Sequence, residues 1–361
     1  MIVKSLEQLH DKQLQFVTCH TMRKRFYSLL QYIIFLGAGI FLVWWQLKSM
    51  TATEKTTFYN SLSNANYWLM IPVVCMSILS HLSRSMRWKL LMEPLNYFPS
   101  LKNTFASTMV GYLANAAVPR LGEVLKCSLL ARYEKLKIDQ LFGTILIERA
   151  FDLFCYVVFI GITVLLQIDL LGSFVAEKFK NSGQTGGFPL WAKLLLLLAV
   201  IAAVIFILKK LVKKFPDNKI ILKTHNFISG IAAGFTSIKN LKKRKIFITH
   251  TIFIWAMYLL QIYIGFSAMQ GTQHLDIKAA FSVLSFATLA MIITPGGIGS
   301  FPIFVMETLL LYSIASPMGI AFGWLLWGAN TIIVIIFGLL SLLLLPLINK
   351  NKNEIHSGHS G

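Results

Sequence analysis

The sequence predicts an all-α polytopic membrane protein of about six full spans and two broken, re-entrant helix pairs, arranged as two inverted halves. Three observations carry that prediction. Of the 361 residues, 56% are apolar and only 14% are charged, with a mean hydropathy of +0.65, a balance typical of chains solvated by lipid. Several apolar runs, clearest at 27–47, 190–208 and 321–348, reach the roughly 20 residues that a helix needs to cross a ~30 Å hydrocarbon core. Short alternating segments with regular turns, the mark of a membrane barrel, are absent from the sequence, which leaves helices as the spanning structure. The third observation is where the cations fall. With spans alternating from a cytoplasmic N-terminus, Lys and Arg number 5 in residues 1–26, 9 in 84–140, 11 in 209–245 and 2 in 349–361, against 6 in the opposite-side segments. That asymmetry follows the positive-inside rule and predicts a multi-pass protein of the cytoplasmic (inner) membrane with both termini cytoplasmic. Sorted by loop in this way, the net charge of +19 argues for a membrane and against a nucleic-acid partner.

The elements follow in order. Residues 1–26 form a cationic lead-in whose Ile2, Val3, Leu6, Leu9, Leu14, Phe16 and Val17 alternate with charges, as in an interfacial helix. The transmembrane domain then covers 27–348, in halves 27–168 and 190–348, before a polar tail at 349–361. The run 27–47 sits behind Arg23-Lys24-Arg25 and ends in Val43-Trp44-Trp45-Gln46-Leu47 without a small-x-small cleavage site, so it reads as an uncleaved first span. Residues 67–82 return inward, with a kink expected at Pro72, and end on Arg84, Arg87 and Lys89. Segment 104–118 is too short and too rich in Ser, Thr, Gly and Asn to cross alone. It breaks at Val118-Pro119-Arg120-Leu121-Gly122-Glu123 before a second piece, 124–133, and basic residues flank both ends, so the pair should enter and leave on the cytoplasmic side. Residues 141–166 run outward, and 167–189, with Gly172, Gly183, Gly186, Gly187 and Pro189, read as an external loop.

The pattern then repeats upside down. Residues 190–208 run inward, a basic amphipathic stretch covers 209–245, and 246–268 run outward. The run 277–293 breaks at Thr294-Pro295-Gly296-Gly297-Ile298-Gly299 before 300–312, with few cations nearby, so this pair should dip in from outside; the last span is 319–346. Each half is span, span, broken pair, span, the inverted-repeat plan in which discontinuous helices meet near the midplane. Hydropathy alone leaves open that each break merely kinks one full span.

Ionisable groups at membrane depth are costly and concentrate at functional sites. Glu148 and Asp152 share a helix face at i, i+4, and Arg149 can pair with Asp152 at i, i+3. Two carboxylates on one buried face repel, so a cation is wanted beside them; the alternative to a substrate site is an Arg149–Asp152 clamp between helices. The first break gathers Asn115, Pro119, Arg120, Gly122, Glu123 and Lys126, where freed backbone groups need protein, water or a head group as partners; the alternative is a surface loop touching lipid phosphates. At the second break, Thr294, Pro295, Gly296, Gly297 and Gly299 precede a half-helix whose first N–H groups suit an anion, unless the glycines serve only close helix packing. Glu307 is a lone acid two turns into that half-helix, read as buried. No nucleophile–base pair, HExxH or CxxC stands among the 8 histidines and 4 cysteines, so no catalytic residue, metal or cofactor is expected.

At these residues the chain resembles the flippase-like family defined by the transmembrane domain of lysylphosphatidylglycerol synthase. The likeness rests on Asn115…Pro119-Arg120-Leu121-Gly122-Glu123…Lys126 followed by Leu129-Leu130-Ala131-Arg132, on Glu148-Arg149-x-x-Asp152, and on Pro295-Gly296-Gly297-Ile298-Gly299. It covers about residues 27–348; the family commonly has Arg where Lys126 stands, and its acid after the glycine motif falls near Pro302 here. The resemblance implies a membrane domain that moves a lipid between leaflets. The full synthases add a soluble domain that transfers lysine from lysyl-tRNA to phosphatidylglycerol, and the 13 residues at 349–361 leave no expectation of it here. The expected function is therefore lipid translocation without covalent chemistry, acting on anionic or phosphate-bearing lipids. The alternatives are a membrane-embedded transferase acting on a lipid phosphate, or a scaffold docking a cytoplasmic enzyme through 209–245.

Overall fold

A computed structural model describes residues 37, 39–118, 121–178 and 241–350. The lead-in 1–26, the span 190–208, nearly all of the basic stretch 209–245 and residues 351–361 lie outside the described residues. The described residues form ten helices and no strand. Helix α1, residues 39–49, is followed by the short α2, Ala52–Ser63. A capping box starts α2: Thr51 Oγ1 accepts from the Glu54 N–H at 3.3 Å, and Glu54 Oε2 accepts from the Thr51 N–H at 2.8 Å. Next come α3 (Met70–Met92), α4 (Leu101–Ala117), α5 (Leu121–Glu134) and α6 (Ile138–Lys178). The second half contributes α7 (Arg244–Ala268), α8 (Ile277–Ile293), α9 (Ser300–Leu310) and α10 (Ser316–Ile348). Among the described residues, four stretches are long and apolar enough to cross a membrane: Tyr67–Leu95, Ile138–Gln167, Arg244–Ala268 and Ser316–Ile348.

Two boundaries and one expected kink differ from those read in the sequence. The second span does not stop at residue 82, because α3 runs on to Met92 and carries Arg84 and Arg87 into the bundle. Pro72 sits in the first turn of α3, where its missing N–H costs no hydrogen bond and no kink is required. The external loop begins later than residue 167, since α6 continues to Lys178.

Both broken pairs are hairpins, which excludes a single kinked span at either place. At the first, Glu134 near the end of α5 accepts from the Ser100 N–H at 3.0 Å and from Asn103 Nδ2 at 2.6 Å, both at the start of α4. At the second, Tyr312 beyond α9 returns to Ser282 near the start of α8, hydroxyl to hydroxyl at 3.0 Å. The hairpins dip from opposite sides. Asn103 and Asn349 exchange side-chain amide bonds at 2.9 Å, setting the end of α10 beside the start of α4, and Lys243 meets Glu93 at 2.7 Å on that same side. At the other side the Gln167 amide, toward the far end of α6, donates to the Lys278 carbonyl at 3.0 Å and also bonds the Tyr312 hydroxyl. Helices α3 and α7 run antiparallel, the Asn66 N–H donating to the Ala268 carbonyl at 2.7 Å.

Neighbour relations survive exchange of the halves. Helix α10 packs on α4 as α6 packs on α8, α5 lies against α6 as α9 lies against α10, and α3 pairs with its counterpart α7. The two hairpin tips meet, for a Cβ on Gly296 would lie 3.5 Å from Ala116 Cα. One apolar cluster fills the region among α3, α7, α8, α9 and α10, including Phe266, Val283, Val305 and Phe322. A second, with Trp88, Leu130, Leu141 and Phe247, packs around the charged groups of α3, α5 and α6. Side chains such as Ile332, Leu343 and Leu347 on α10 stay exposed, as expected of a surface facing lipid.

A buried ion cluster beside the first break

Three helices, α3, α5 and α6, bring charge to one place. Helix α3 carries Ser77, Ser80, Arg84 and Arg87 at helical spacing, which aims both arginines inward. Helix α6 presents Glu148 and Asp152 on one face, as their i, i+4 spacing requires. Arg87 is the cation those carboxylates need: its Nη2 lies 3.3 Å from Glu148 Oε1 and 2.6 Å from Asp152 Oδ1, with the arginine side chain at 0% exposure. Its Nη1 donates to Thr251 Oγ1 of α7 at 3.2 Å. Arg84 binds Asp152 Oδ2 at 3.1 Å and donates to the Tyr112 hydroxyl of α4 at 3.3 Å. Lys126 reaches Glu148 Oε2 at 3.2 Å and lies 3.9 Å from the centroid of the Trp88 ring, a contact that strengthens away from water. Trp88 is itself held, its Nε1–H donating to Thr144 Oγ1 at 2.9 Å.

Arg149 takes no part in that inner group. The alternative offered by the sequence, a clamp between Arg149 and Asp152, does not form; Arg149 turns to Glu123 at 3.0 Å, and Asp152 belongs to the two arginines of α3. The Arg149 side chain is 47% exposed and that of Glu123 26%, against 3% for Glu148, so this pair faces outward from the cluster. Glu123 and Lys126 sit on α5 just after the break. Asn115 braces them: its Oδ1 accepts from the Gly122 N–H at 2.8 Å and its Nδ2 lies 3.4 Å from Glu123 Oε1. A Cβ on Gly122 would overlap the Gly111 carbonyl oxygen, so only glycine lets α4 and α5 approach this closely. Between them opens a small cleft lined by Tyr112, Asn115, Glu123, Lys126 and Arg149. Four described cations, Arg84, Arg87, Lys126 and Arg149, face three carboxylates, Glu123, Glu148 and Asp152, leaving one positive charge in excess.

The second break is closed by the chain itself. Gly296, Gly297 and Gly299 adopt φ of 60°, 71° and 73°, the left-handed region that glycine enters without strain. The Gly296 carbonyl accepts from Trp327 Nε1 at 2.7 Å, and the Gly299 carbonyl accepts from Gln46 Nε2 of α1 at 2.8 Å. Thr294 and Ser300 join hydroxyls at 2.5 Å, and Ser300 Oγ donates to the Ala290 carbonyl at 3.2 Å. A Cβ on Gly297 would lie 2.5 Å from Met291 Sδ, and one on Gly299 2.8 Å from the Gly39 carbonyl oxygen. These contacts favour the packing alternative for the glycines, although Gly296 does touch the first tip.

Of the residues singled out in the sequence, Asn115, Gly122, Glu123, Lys126, Glu148, Arg149 and Asp152 gather at one site. Glu307 is exposed on α9 rather than buried. Arg120 and the Pro295 side chain lie outside the described residues. Arg84 and Arg87 escape the sequence reading because it ends the second span too early, and the polar stripe from Ser77 to Arg87 is the available signal; Tyr112, on α4, carries no such signal. Among the described residues no group of three His, Cys, Asp or Glu is arranged to hold a metal ion.

Comparison with known proteins follows the same stretch of chain. Residues 28–349 match the family described as the lysylphosphatidylglycerol synthase TM region. A UPF0104 membrane protein of Methanocaldococcus jannaschii is 24% identical over 310 residues, covering 81% of this chain and 90% of that protein. No solved structure matches the chain.

Proposed function

The chain belongs to the lysylphosphatidylglycerol synthase transmembrane-region family, and on that premise we propose that it moves a phosphate-bearing lipid between membrane leaflets without covalent change. The observation that carries the reading is the cleft at the first hairpin tip, which sets polar and charged groups at membrane depth beside a cluster with one unmatched positive charge among the described residues. A charged head group crossing hydrocarbon needs such partners, because an ion leaving water without them loses several kcal/mol or more. In this reading the head enters the cleft while its chains remain in lipid. Arg149, half exposed, meets the phosphate, and Lys126 reinforces it from the cleft wall. Arg84 and Arg87 keep Glu148 and Asp152 neutralised, so the cleft holds its shape when empty. The membrane is the cytoplasmic one, with the ends that carry Lys243 and Asn349 facing the cytoplasm.

Reconstitution tests this directly. Purified protein in vesicles should transfer acyl-labelled phospholipid between leaflets, with the lipid recovered unchanged. A new lipid product would instead establish a transferase, and neither transfer nor product would leave a scaffold for a separate enzyme. For orientation, a single cysteine at Gln273 should react with an impermeant reagent added outside cells and one at Lys135 should not; the reverse pattern would invert the topology.

A further inference from the structure

We infer that His81 is a proton-binding site coupled to the cleft, so that a phosphate-bearing lipid and a proton cross the membrane together. The inference rests on the translocation reading above and adds what drives it.

Geometry singles out His81. Among the described residues two histidines lie within spans, His81 on α3 and His250 on α7. The His250 ring is already engaged, its Nδ1 meeting Ser83 Oγ at 2.9 Å. His81 Nδ1 is buried without a hydrogen-bond partner among the described residues. Its ring packs on the Tyr112 ring of α4, with centroids 5.0 Å apart. Tyr112 lines the cleft, and its hydroxyl accepts from Arg84 at 3.3 Å, while Arg84 also holds Asp152 at 3.1 Å. His81 and Arg84 stand at i and i+3 on α3, neighbours on one face. One imidazole thus touches the wall of the cleft and sits a single turn from a cation of the buried cluster.

Polar groups continue outward from that point. One turn along α3, Ser77 Oγ donates to Asn330 Oδ1 of α10 at 2.8 Å. A Cβ on Gly265 of α7 would lie 2.9 Å from Leu326 Cδ2 of α10. One turn inward from that contact stand Gln261 on α7 and Asn330 on α10. Gln261 Nε2 is buried, again without a partner among the described residues, and lies about two turns from the outer end of α7 at Ala268. An imidazole followed by hydroxyl and amide groups along a span has the composition of a proton relay.

The buried cluster gives a proton at His81 its effect. The titratable groups packed around His81 and Arg84 are Arg87 on α3, Tyr112 on α4, Asp152 and Glu148 on α6, and Tyr258 and His250 on α7, with Lys126 behind Glu148. Helix α10 contributes none. Both carboxylates are matched by Arg84, Arg87 and Lys126, so no spare anion answers an imidazolium. Imidazole is the side chain whose charge changes near neutral pH. A proton there adds a second unmatched positive charge beside the cleft, and in a low-dielectric site that charge favours entry of an anion. By linkage, a phosphate in the cleft favours the proton to the same extent.

The experiment places the full chain in phosphatidylcholine vesicles with trace acyl-labelled phosphatidylglycerol as the phosphate-bearing probe. A pH gradient of about one unit is imposed with the membrane potential clamped at zero. Wild-type protein should concentrate the probe up to about tenfold in the leaflet facing the alkaline side, the limit for one proton per lipid, and a protonophore should return the ratio to one. His81→Gln should lose the accumulation, whereas His250→Gln, which keeps a partner for Ser83, should retain it. Equal leaflets under the gradient would overturn the coupling and leave translocation standing, and accumulation on the acidic side would overturn co-transport in favour of exchange. No movement of the probe, with or without a gradient, would overturn translocation itself. Proton uptake on mixing the purified protein with the same lipid in weakly buffered micelles covers a variant that folds but transports nothing. Wild type should take up protons, and His81→Gln or His81→Asn, whichever folds, should not. Uptake or accumulation equal to wild type in those variants would place the proton elsewhere.

Discussion

The break between α4 and α5 and the break between α8 and α9 occupy equivalent places in the two halves, yet charge lines one and glycine lines the other. At the first, backbone and side-chain capacity remains at a cleft: Glu123 keeps a buried oxygen without a partner among the described residues, and Arg149 is half exposed. At the second, Trp327, Gln46 and Ser300 take up the polar groups, and Met291 and Gly39 crowd the glycines. An interrupted helix is therefore not a ligand site merely because it is interrupted. What matters is whether the protein's own side chains complete the hydrogen bonding.

Substitutions can break or sharpen that contrast. The largest effect should come from Arg87→Leu, which leaves Glu148 and Asp152 short of a buried cation and should cost on the order of 3–5 kcal/mol, read as a fall in thermal unfolding temperature in lipid. An unchanged midpoint would mean that the cluster is more hydrated than its burial implies. Gly297→Leu comes next. It forces a side chain into the Met291 contact at positive φ and should destabilise by about 1–3 kcal/mol, while transport per folded molecule stays near wild type; a folded but inactive variant would return the second break to the site. Trp327→Phe removes only the donor to the Gly296 carbonyl and should cost about 1 kcal/mol, detectable by denaturant titration. Arg149→Gln should change stability least, by under about 1 kcal/mol, because its pair with Glu123 is partly exposed. Its signature is functional: phospholipid exchange in vesicles should fall steeply with folding intact. Wild-type exchange in that variant would make the Arg149–Glu123 pair surface decoration.

Much of the architecture was legible because it is local. Apolar run lengths marked the described spans, and the Val118–Glu123 and Thr294–Gly299 interruptions marked where each hairpin turns, while hydropathy left a single kinked span open at both places. The shared face of Glu148 and Asp152 was legible from helical periodicity. What could not be read was which partner crosses from another helix. The spacing of Arg149 and Asp152 permitted a pair, but Arg84 and Arg87 reach Asp152 from α3 and leave Arg149 to Glu123. Those arginines were hidden by the habit of ending a span at its first cations, although an arginine with a buried carboxylate waiting can lie well inside one. Glu307 shows the converse error, because membership of an apolar half-helix does not say which of its faces is covered.

The exchange of neighbours between the halves has a consequence for biogenesis. The wall of the first hairpin is α10, where a Cβ on Gly338 would lie only 2.6 Å from Leu113 Cβ, and the wall of α8 is α6, through Tyr156 and Thr163 to Ser285 at 2.8 Å each. Ribosomes deliver the chain in order, so α4 and α5 reach the membrane long before the helix that covers them. Until the final span is inserted, Asn103 has no Asn349 to pair with and the α4 face at Leu113 is bare. The charged cleft therefore cannot mature one repeat at a time, and a nascent chain arrested before Ser316 carries the site residues without the wall that seats them.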